Sequence, residues 1–321
     1  MATRILPADD AGIAAAATAI LGGEPVALPT ETVYGLAADA TCGEAVARVY
    51  AAKGRPAFNP LIVHVADKHA ADRIAPIGQA AAALADAFWP GPLTLVLPAR
   101  EGNGIAGIVT AGLPTIALRV PAHPVMRAVI AAVARPLAAP SANASGAISA
   151  TRAAHVAASL DGRIGLVLDG GATTHGVEST IAAVAPNGLR LLRPGPIAPE
   201  ALADTAGLPI LATAGGVIEA PGQLASHYAP RLPLRLDATE RRGDEWLIGF
   251  GAVAGDDTLS TVGDPVEAAA RLFDALHRAD ASGRAAIAVA PVSADGLGVA
   301  VADRLARAAA PRPQPAPAER T

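Results

Sequence analysis

Short apolar runs, fenced by proline and glycine and alternating with alanine-rich segments of helical spacing, set the tightest limit on what this chain can fold into. Residues 25–29, 61–65, 93–97, 115–120, 164–168, 177–184 and 189–192 read as strands. Residues 9–21, 43–52, 78–88, 123–134 and 150–160 read as helices, the first capped by Asp9 or Asp10 and ended by Gly22 and Gly23. Strands and helices that alternate in this way predict one α/β domain over residues 1–205. Residues 206–234 break the pattern. They hold Gly207, Pro209, Gly215, Gly216, Pro221, Gly222, Pro230 and Pro233 and little periodicity, so they read as a linker, either disordered or functional. Strands at 246–250 and 285–290 and helices at 264–280 and 295–310 then predict a small second α/β unit within residues 235–310. The proline-rich residues 311–321 read as a frayed tail.

Composition narrows the function classes. Apolar residues are 52% of 321, and mean hydropathy is +0.37, which supplies a large core and excludes general disorder. Net charge is −4, and residues 1–205 carry 14 basic against 15 acidic groups. That balance disfavours a standing grip on a long nucleic acid, leaving at most weak tRNA binding. The single cysteine, Cys42, excludes an internal disulfide framework and a multi-cysteine zinc site, and reads as a free thiol in a reducing compartment. No apolar run approaches the roughly 20 residues of a membrane helix. The first 25 residues contain Asp9, Asp10 and Glu24 without a basic start, unlike a secretory signal. The expectation is a soluble cytoplasmic protein with no membrane partner.

Two common nucleotide motifs do not explain the chain. There is no G-x-x-x-x-G-K-[ST] loop. The G-x-G-x-x-G match at 102–107 follows a strand, but residues 108–114 (IVTAGLP) do not read as a helix start, so it is taken as a surface loop. Nor is there an H-E-x-x-H or an inferable Ser-His-Asp arrangement. Four other stretches carry chemistry. PTETVYGL (29–36) places hydroxyls and a carboxylate after a strand end, where open α/β sheets bind ligands. KGRPAFNPL (53–61) pairs Lys53 with Arg55 in a stiff loop, in a chain with only two lysines against 23 arginines. A compact ammonium beside a planar guanidinium suits a polyphosphate clamp. PSANASG (140–146), continuing to Ser149 and Thr151, offers neutral hydrogen bonds to a base, ribose or amino acid; Ser149 or Thr151 could equally cap the next helix. GVEST (176–180) and RPG (193–195) add a carboxylate, hydroxyls and an arginine.

Together with FWPGPLTLVL (88–97) and ALRVP (117–121), these motifs occur in the order in which they stand in the Sua5/YrdC/YciO family, which residues 5–205 resemble. PGQLASHYAP (221–230) resembles the linker of the two-domain Sua5 type, except that Gln223 stands where methionine is common. The resemblance implies a YrdC-like twisted open α/β sheet, followed by a small Rossmann-like C-terminal unit. It implies L-threonylcarbamoyladenylate synthesis from L-threonine, bicarbonate and ATP with Mg²⁺. A TsaD-type transferase machinery would then pass the threonylcarbamoyl group to adenosine 37 of tRNAs reading ANN codons. Carried over residue by residue, Thr32, His64, Arg119, Ser141 and Ser179 line the threonine side, with Arg119 as a fork for the carboxylate. Lys53, Arg55, Asn59, Thr115, Asn143, Thr151, Arg193 and Tyr228 line the ATP side. Lys53 and Arg55 are the residues expected to carry catalysis, Tyr228 is expected to close over the nucleotide, and no protein metal site is implied. Two rivals share the fold: a double-stranded-RNA-binding module, which the charge balance disfavours, and a hydrogenase-maturation carbamoyltransferase, whose zinc fingers a single cysteine excludes.

Overall fold

Mixed strand directions dominate the computed structural model, which describes residues 2–212 and 219–311. Gly215, Gly216 and the tail beyond Pro311 lie outside the described residues. The first unit runs β1 (Arg4–Pro7), α1 (Asp10–Leu21), β2 (Val26–Leu28), β3 (Gly35–Asp39), α2 (Gly43–Lys53), β4 (Ile62–His64), α3 (Lys68–Ile74), α4 (Gln79–Phe88), β5 (Leu93–Pro98), α5 (Gly107–Thr110), β6 (Thr115–Arg119) and α6 (Pro124–Val133). It continues with β7 (Leu137–Ala138), α7 (Ala153–Leu160), β8 (Leu166–Asp169), β9 (Thr180–Ala185), β10 (Gly188–Arg193), α8 (Pro199–Ala206) and β11 (Ile210–Leu211). Its eleven strands order as β1-β8-β2-β3-β7-β4-β6-β5-β9-β10-β11. The sheet thus runs past residue 205, because β11 pairs parallel with β10.

Period-two alternation divides the central strands between two environments. Leu61, Val63, Val65, Leu93, Leu95, Leu97, Ile116 and Leu118 share one core with α3, α4 and α8. Ile62, Val96, Ala117, Ile181 and Ala183 point to the opposite face, where linker residue Ala220 packs. Among the described residues no helix covers that second group, and the candidate cavity lies beside it.

The second unit has β12 (Leu234–Arg235), β13 (Glu245–Gly249), β14 (Asp257–Thr258), α9 (Pro265–Asp280), β15 (Ala286–Val289) and α10 (Gly298–Ala309). Its sheet orders β12-β15-β13-β14 and all its pairs are parallel. Both helices pack on the face that carries Ile248, Ile287 and Val289, a two-layer rather than doubly wound arrangement. The same core takes in Val33, Ile148, Val177 and Tyr228, so it fuses the two units. Gly176 is required at this seam. Its φ is +69°, and a Cβ there would stand 2.3 Å from the Ala269 backbone oxygen of α9.

Three local expectations are corrected. Residues 107–110 do form a helical turn, but only one, which ends with Ala111 in the left-handed region at φ 52°. Neither Ser149 nor Thr151 caps α7; Arg152 stands at its N-cap without a side-chain bond, and Ser149 donates its hydroxyl to Glu178 instead. The strand read at 177–184 begins only at Thr180, because Val177 enters the fused core and Glu178 and Ser179 face the cavity.

Candidate active site

A cavity of about 50 Å³ opens on the uncovered sheet face. Ile62 and His64 from β4, Arg119 from β6 and Ala139 after β7 contribute to its floor. His64 and Arg119 are register partners across parallel strands, which sets them side by side. Thr30, Thr32 and Val33 enter from the turn after β2, Ser141 from the loop after β7, and Glu178 and Ser179 from the segment before β9. Pro221, Gly222, His227 and Tyr228 of the linker close the cavity. A site at strand carboxyl ends is only partly what forms. His64, Arg119 and Arg193 do end their strands, but β7 runs antiparallel to β4 and β5 antiparallel to β6. With no common carboxyl edge, the site spreads over the face.

All five residues assigned to threonine, Thr32, His64, Arg119, Ser141 and Ser179, line this one cavity. Arg119 is buried and donates from Nε to the Gly91 carbonyl (3.2 Å), from Nη1 to Thr32 Oγ1 (3.0 Å) and from Nη2 to Glu31 Oε1 (2.6 Å). A guanidinium has five N–H groups, so two remain for a ligand. Burial pushes the Glu31 carboxyl up, but the Arg119 charge and hydrogen bonds outweigh it and hold it at about 2. His64 is driven down to about 3 by burial and by Arg119, so its imidazole is neutral at working pH, and its Nδ1 has no partner.

Of the eight residues assigned to ATP, Arg55, Arg193 and Tyr228 line the cavity. Arg55 donates to the carbonyls of Asn59 (3.2 Å) and Pro60 (2.8 Å). Arg193 donates to the Ser179 carbonyl and Oγ, both at 3.1 Å, and that Oγ also bonds Thr94 Oγ1 at 2.7 Å. Both guanidinia are buried, and burial depresses both pKa values, Arg55 to about 10. Among the described residues neither lies within ion-pair distance of a carboxylate. Buried charge without a counter-charge costs several kcal/mol, which makes this pair the strongest mark of an anion site in the fold.

The other five stand elsewhere. Lys53 ends α2 and is 2% exposed. Its ammonium is caged by the carbonyls of Ser141 and Asn143, and burial, then the Arg55 charge, push its pKa well below the usual lysine range against Glu178. It therefore ties down the loop that carries Ser141, and one of its three N–H groups is left over. Asn143 donates to the carbonyls of Ala144 and Ala147, both at 2.9 Å, while its Oδ1 is buried without a partner. Asn59 lies beside Arg55 with both side-chain polar atoms buried and unpaired. Thr151 is buried against His155. Thr115 begins β6, opposite Pro98, and so lies about 13 Å along the strand from Arg119.

The linker tyrosine also differs from its expected use. The Tyr228 ring packs against Phe273 (centroids 5.5 Å apart) and His227 (4.1 Å), with the Arg304 guanidinium 5.3 Å away over its face. The aromatic surface proposed for adenine is thus occupied by protein. Its hydroxyl is buried, has no partner among the described residues, and is close to the cavity-lining Gly222, where a Cβ would stand 2.8 Å from it. His227 is held neutral at about 3 by burial, with its Nδ1 also unpaired. Gln223 accepts from the Glu219 and Ala220 amides, giving the departure from methionine a turn-forming role.

Sequence reasoning left Glu31, Glu178 and Arg304 without roles. Glu31 and Glu178 lay inside quoted motifs. Arg304 had a different signal: it falls on the apolar phase of α10, with Val301, Leu305 and Ala308, where an arginine is out of place.

The Sua5/YciO/YrdC family model, described as Telomere recombination, matches residues 18–195, and the model of the threonylcarbamoyl-AMP synthase C-terminal domain matches residues 197–310. The threonylcarbamoyl-AMP synthase of Pyrococcus abyssi (strain GE5 / Orsay) is 40% identical over 314 residues, 90% of this chain and 92% of that one. The Bacillus subtilis (strain 168) protein of the same name is 46% identical over 237 residues, 72% of this chain and 68% of that one. The crystal structure of P. abyssi Sua5 complexed with L-threonine superposes with a TM-score of 0.88 at 38% identity, covering 96% of this chain and 98% of that one. Escherichia coli YciO, at 16% identity and a TM-score of 0.52, shares the fold over 60% of the chain. The chain belongs to the Sua5/YciO/YrdC family, in the two-domain form that carries the Sua5 C-terminal domain.

Proposed function

We propose that this protein is a threonylcarbamoyl-AMP synthase, condensing L-threonine, bicarbonate and ATP into L-threonylcarbamoyladenylate and pyrophosphate. The observation that carries the reading is one cavity in which Arg55 and Arg193 lack carboxylate partners among the described residues, beside the hydroxyls and imidazole grouped around Arg119. A threonine carboxylate fits the two free N–H groups of Arg119, and a triphosphate fits Arg55 and Arg193. The threonine amine nitrogen bonds to the bicarbonate carbon and one C–O bond breaks, so an amine proton and that hydroxyl leave as water and a carbamate remains. Its oxygen attacks the α-phosphorus, a new O–P bond forms, and the bond to the β-phosphate oxygen breaks to release pyrophosphate. Both partners are anions, so fixed cations and alignment supply most of the rate enhancement. His64, with a pKa of about 3, is a hydrogen-bond partner rather than a base. Among the described residues no three His, Cys, Asp or Glu side chains converge to hold a metal. Mg²⁺ is taken as part of the nucleotide substrate, where it would neutralise charge on the triphosphate.

The product is a mixed anhydride, and a TsaD-type transferase acting on tRNA is its proposed consumer. We read residues 1–205 as the catalytic part, 206–234 as linker and 235–310 as the C-terminal unit. Among the described residues no helix is long and apolar enough to cross a membrane, and a cytoplasmic setting fits the free Cys42. Incubating the protein with labelled bicarbonate, MgATP and L-threonine should give a labelled adenylate that requires all three. Label in no nucleotide product contradicts the reading.

A further inference from the structure

The C-terminal unit sends one side chain to the edge of the cavity. Arg304 of α10 is 0% exposed. Its Nε donates to Glu178 Oε2 at 2.9 Å and its Nη1 to Asp303 Oδ2 at 2.7 Å, while its guanidinium lies over the Tyr228 ring. Glu178 lines the cavity, and its other oxygen accepts from Ser149. The same helix end grips the linker: Arg307 donates to the Leu224 carbonyl (2.7 Å), the His227 amide to the Arg307 carbonyl (3.2 Å) and Ser226 Oγ to the Ala310 carbonyl (3.3 Å).

We propose that Arg304 is a positioning residue for the nucleotide site, acting through Glu178 and Tyr228, and that supplying it is a function of the C-terminal unit. Charge accounting supports this. Glu31 is answered by Arg119 and Glu178 by Arg304, which leaves Arg55 and Arg193 to meet the triphosphate. Without Arg304, the Glu178 carboxylate has Arg193 as a nearby positive charge and competes for it with phosphate. A buried carboxylate that loses its partner repels an incoming anion strongly, because little solvent screens it. Arg304 also fixes the ring that aims the Tyr228 hydroxyl at Gly222 and Arg193.

The inference rests on the proposed reaction, so the assay begins with the unaltered protein. If that protein shows no threonine-dependent pyrophosphate release, the proposed reaction fails; if it does, the variants test Arg304 alone. Arg304→Met should raise the KM for ATP about tenfold or more, with the KM for threonine changed less than about threefold. Adding Glu178→Gln removes the stranded charge and should recover at least about half of that loss on a logarithmic scale. Arg304→Lys keeps the charge but loses the fork and the ring contact, so its ATP KM should fall between those of the parent and Arg304→Met. A melting temperature lowered with an unchanged ATP KM, or a double variant no better than Arg304→Met, overturns the proposal. If Arg304→Met does not fold, Glu178→Gln alone carries the test. It removes one of the two carboxylates on Arg304, leaving Asp303, and should lower the ATP KM about threefold, and a rise in that KM overturns the proposal.

Discussion

Two neighbours in one motif, Lys53 and Arg55, meet different fates, and their variants should differ accordingly. Arg55 lines the cavity, so Arg55→Ala should cost about 2–4 kcal/mol of transition-state stabilisation, roughly 30- to 1000-fold in turnover, with the fold intact. Lys53→Ala empties a buried position and strands the carbonyls of Ser141 and Asn143. It should lower global stability by about 3 kcal/mol as well as activity, as denaturant melts can check. Buried histidines set a second expectation. His64 and His227 are held at about 3 and His277 at about 4, all below the ordinary 6.5. The folded chain thus binds fewer protons than the unfolded chain between those values. Their contribution is complete above pH 6.5 and falls with acidification, by at most about 4 kcal/mol per pH unit near pH 5. Glu31, at about 2 against 4.5, keeps its contribution above pH 4.5 and loses it as pH falls towards 2. Calorimetry between pH 7.5 and 5 should show the melting temperature dropping steadily; a flat profile contradicts the assigned burial. The motif marked Lys53 and Arg55 as candidates, but not how each side chain is held. That depends on where a loop 88 residues away places its carbonyls.

The linker is the element where local pattern and tertiary context part most. Its proline and glycine content announced irregular chain, and His227 and Tyr228 stood out as residues with chemistry to offer. Nothing local could show that α9 and α10 would occupy the Tyr228 ring, since that contact needs the second unit in place. Tyr228 is therefore anchored through its ring, and its hydroxyl is the part proposed to serve the nucleotide. Tyr228→Phe removes a buried unpaired hydroxyl and should stabilise the free protein by about 1 kcal/mol while weakening ATP affinity. Tyr228→Ala should loosen the linker even without substrates, so protease cuts it faster. A linker protected by ATP and threonine alone, whatever stands at 228, contradicts the anchor. The regular elements were easier to read. β5 is a clean apolar run, and α1 has both its Asp9 cap and its glycine stop. β3 escaped notice because Gly35–Asp39 has small side chains and an acidic end, and β7 because two residues carry no periodicity.

At the scale of the whole molecule, the two sheets share one fused core rather than hanging from a tether. Gly176→Ala tests that directly, because the added methyl meets α9 backbone that cannot step aside. It should cost about 3 kcal/mol or more and split the calorimetric transition in two; a single unchanged transition contradicts the fused core. The alternation of strands and helices foretold both α/β units, but not that the site would lie on a sheet face closed by residues from the linker. Chain order alone does not fix the antiparallel pairs that remove a common carboxyl edge. The central claim is that one cavity reads threonine and ATP together. Pyrophosphate release measured side by side with L-threonine, L-serine and L-valine tests it most directly. Serine, which lacks only a methyl contact, should fall by about 1 kcal/mol in kcat/KM. Valine leaves the hydroxyl's partners unpaired and should fall by about a hundredfold or more. Equal release with valine, or release that ignores the amino acid altogether, contradicts the account.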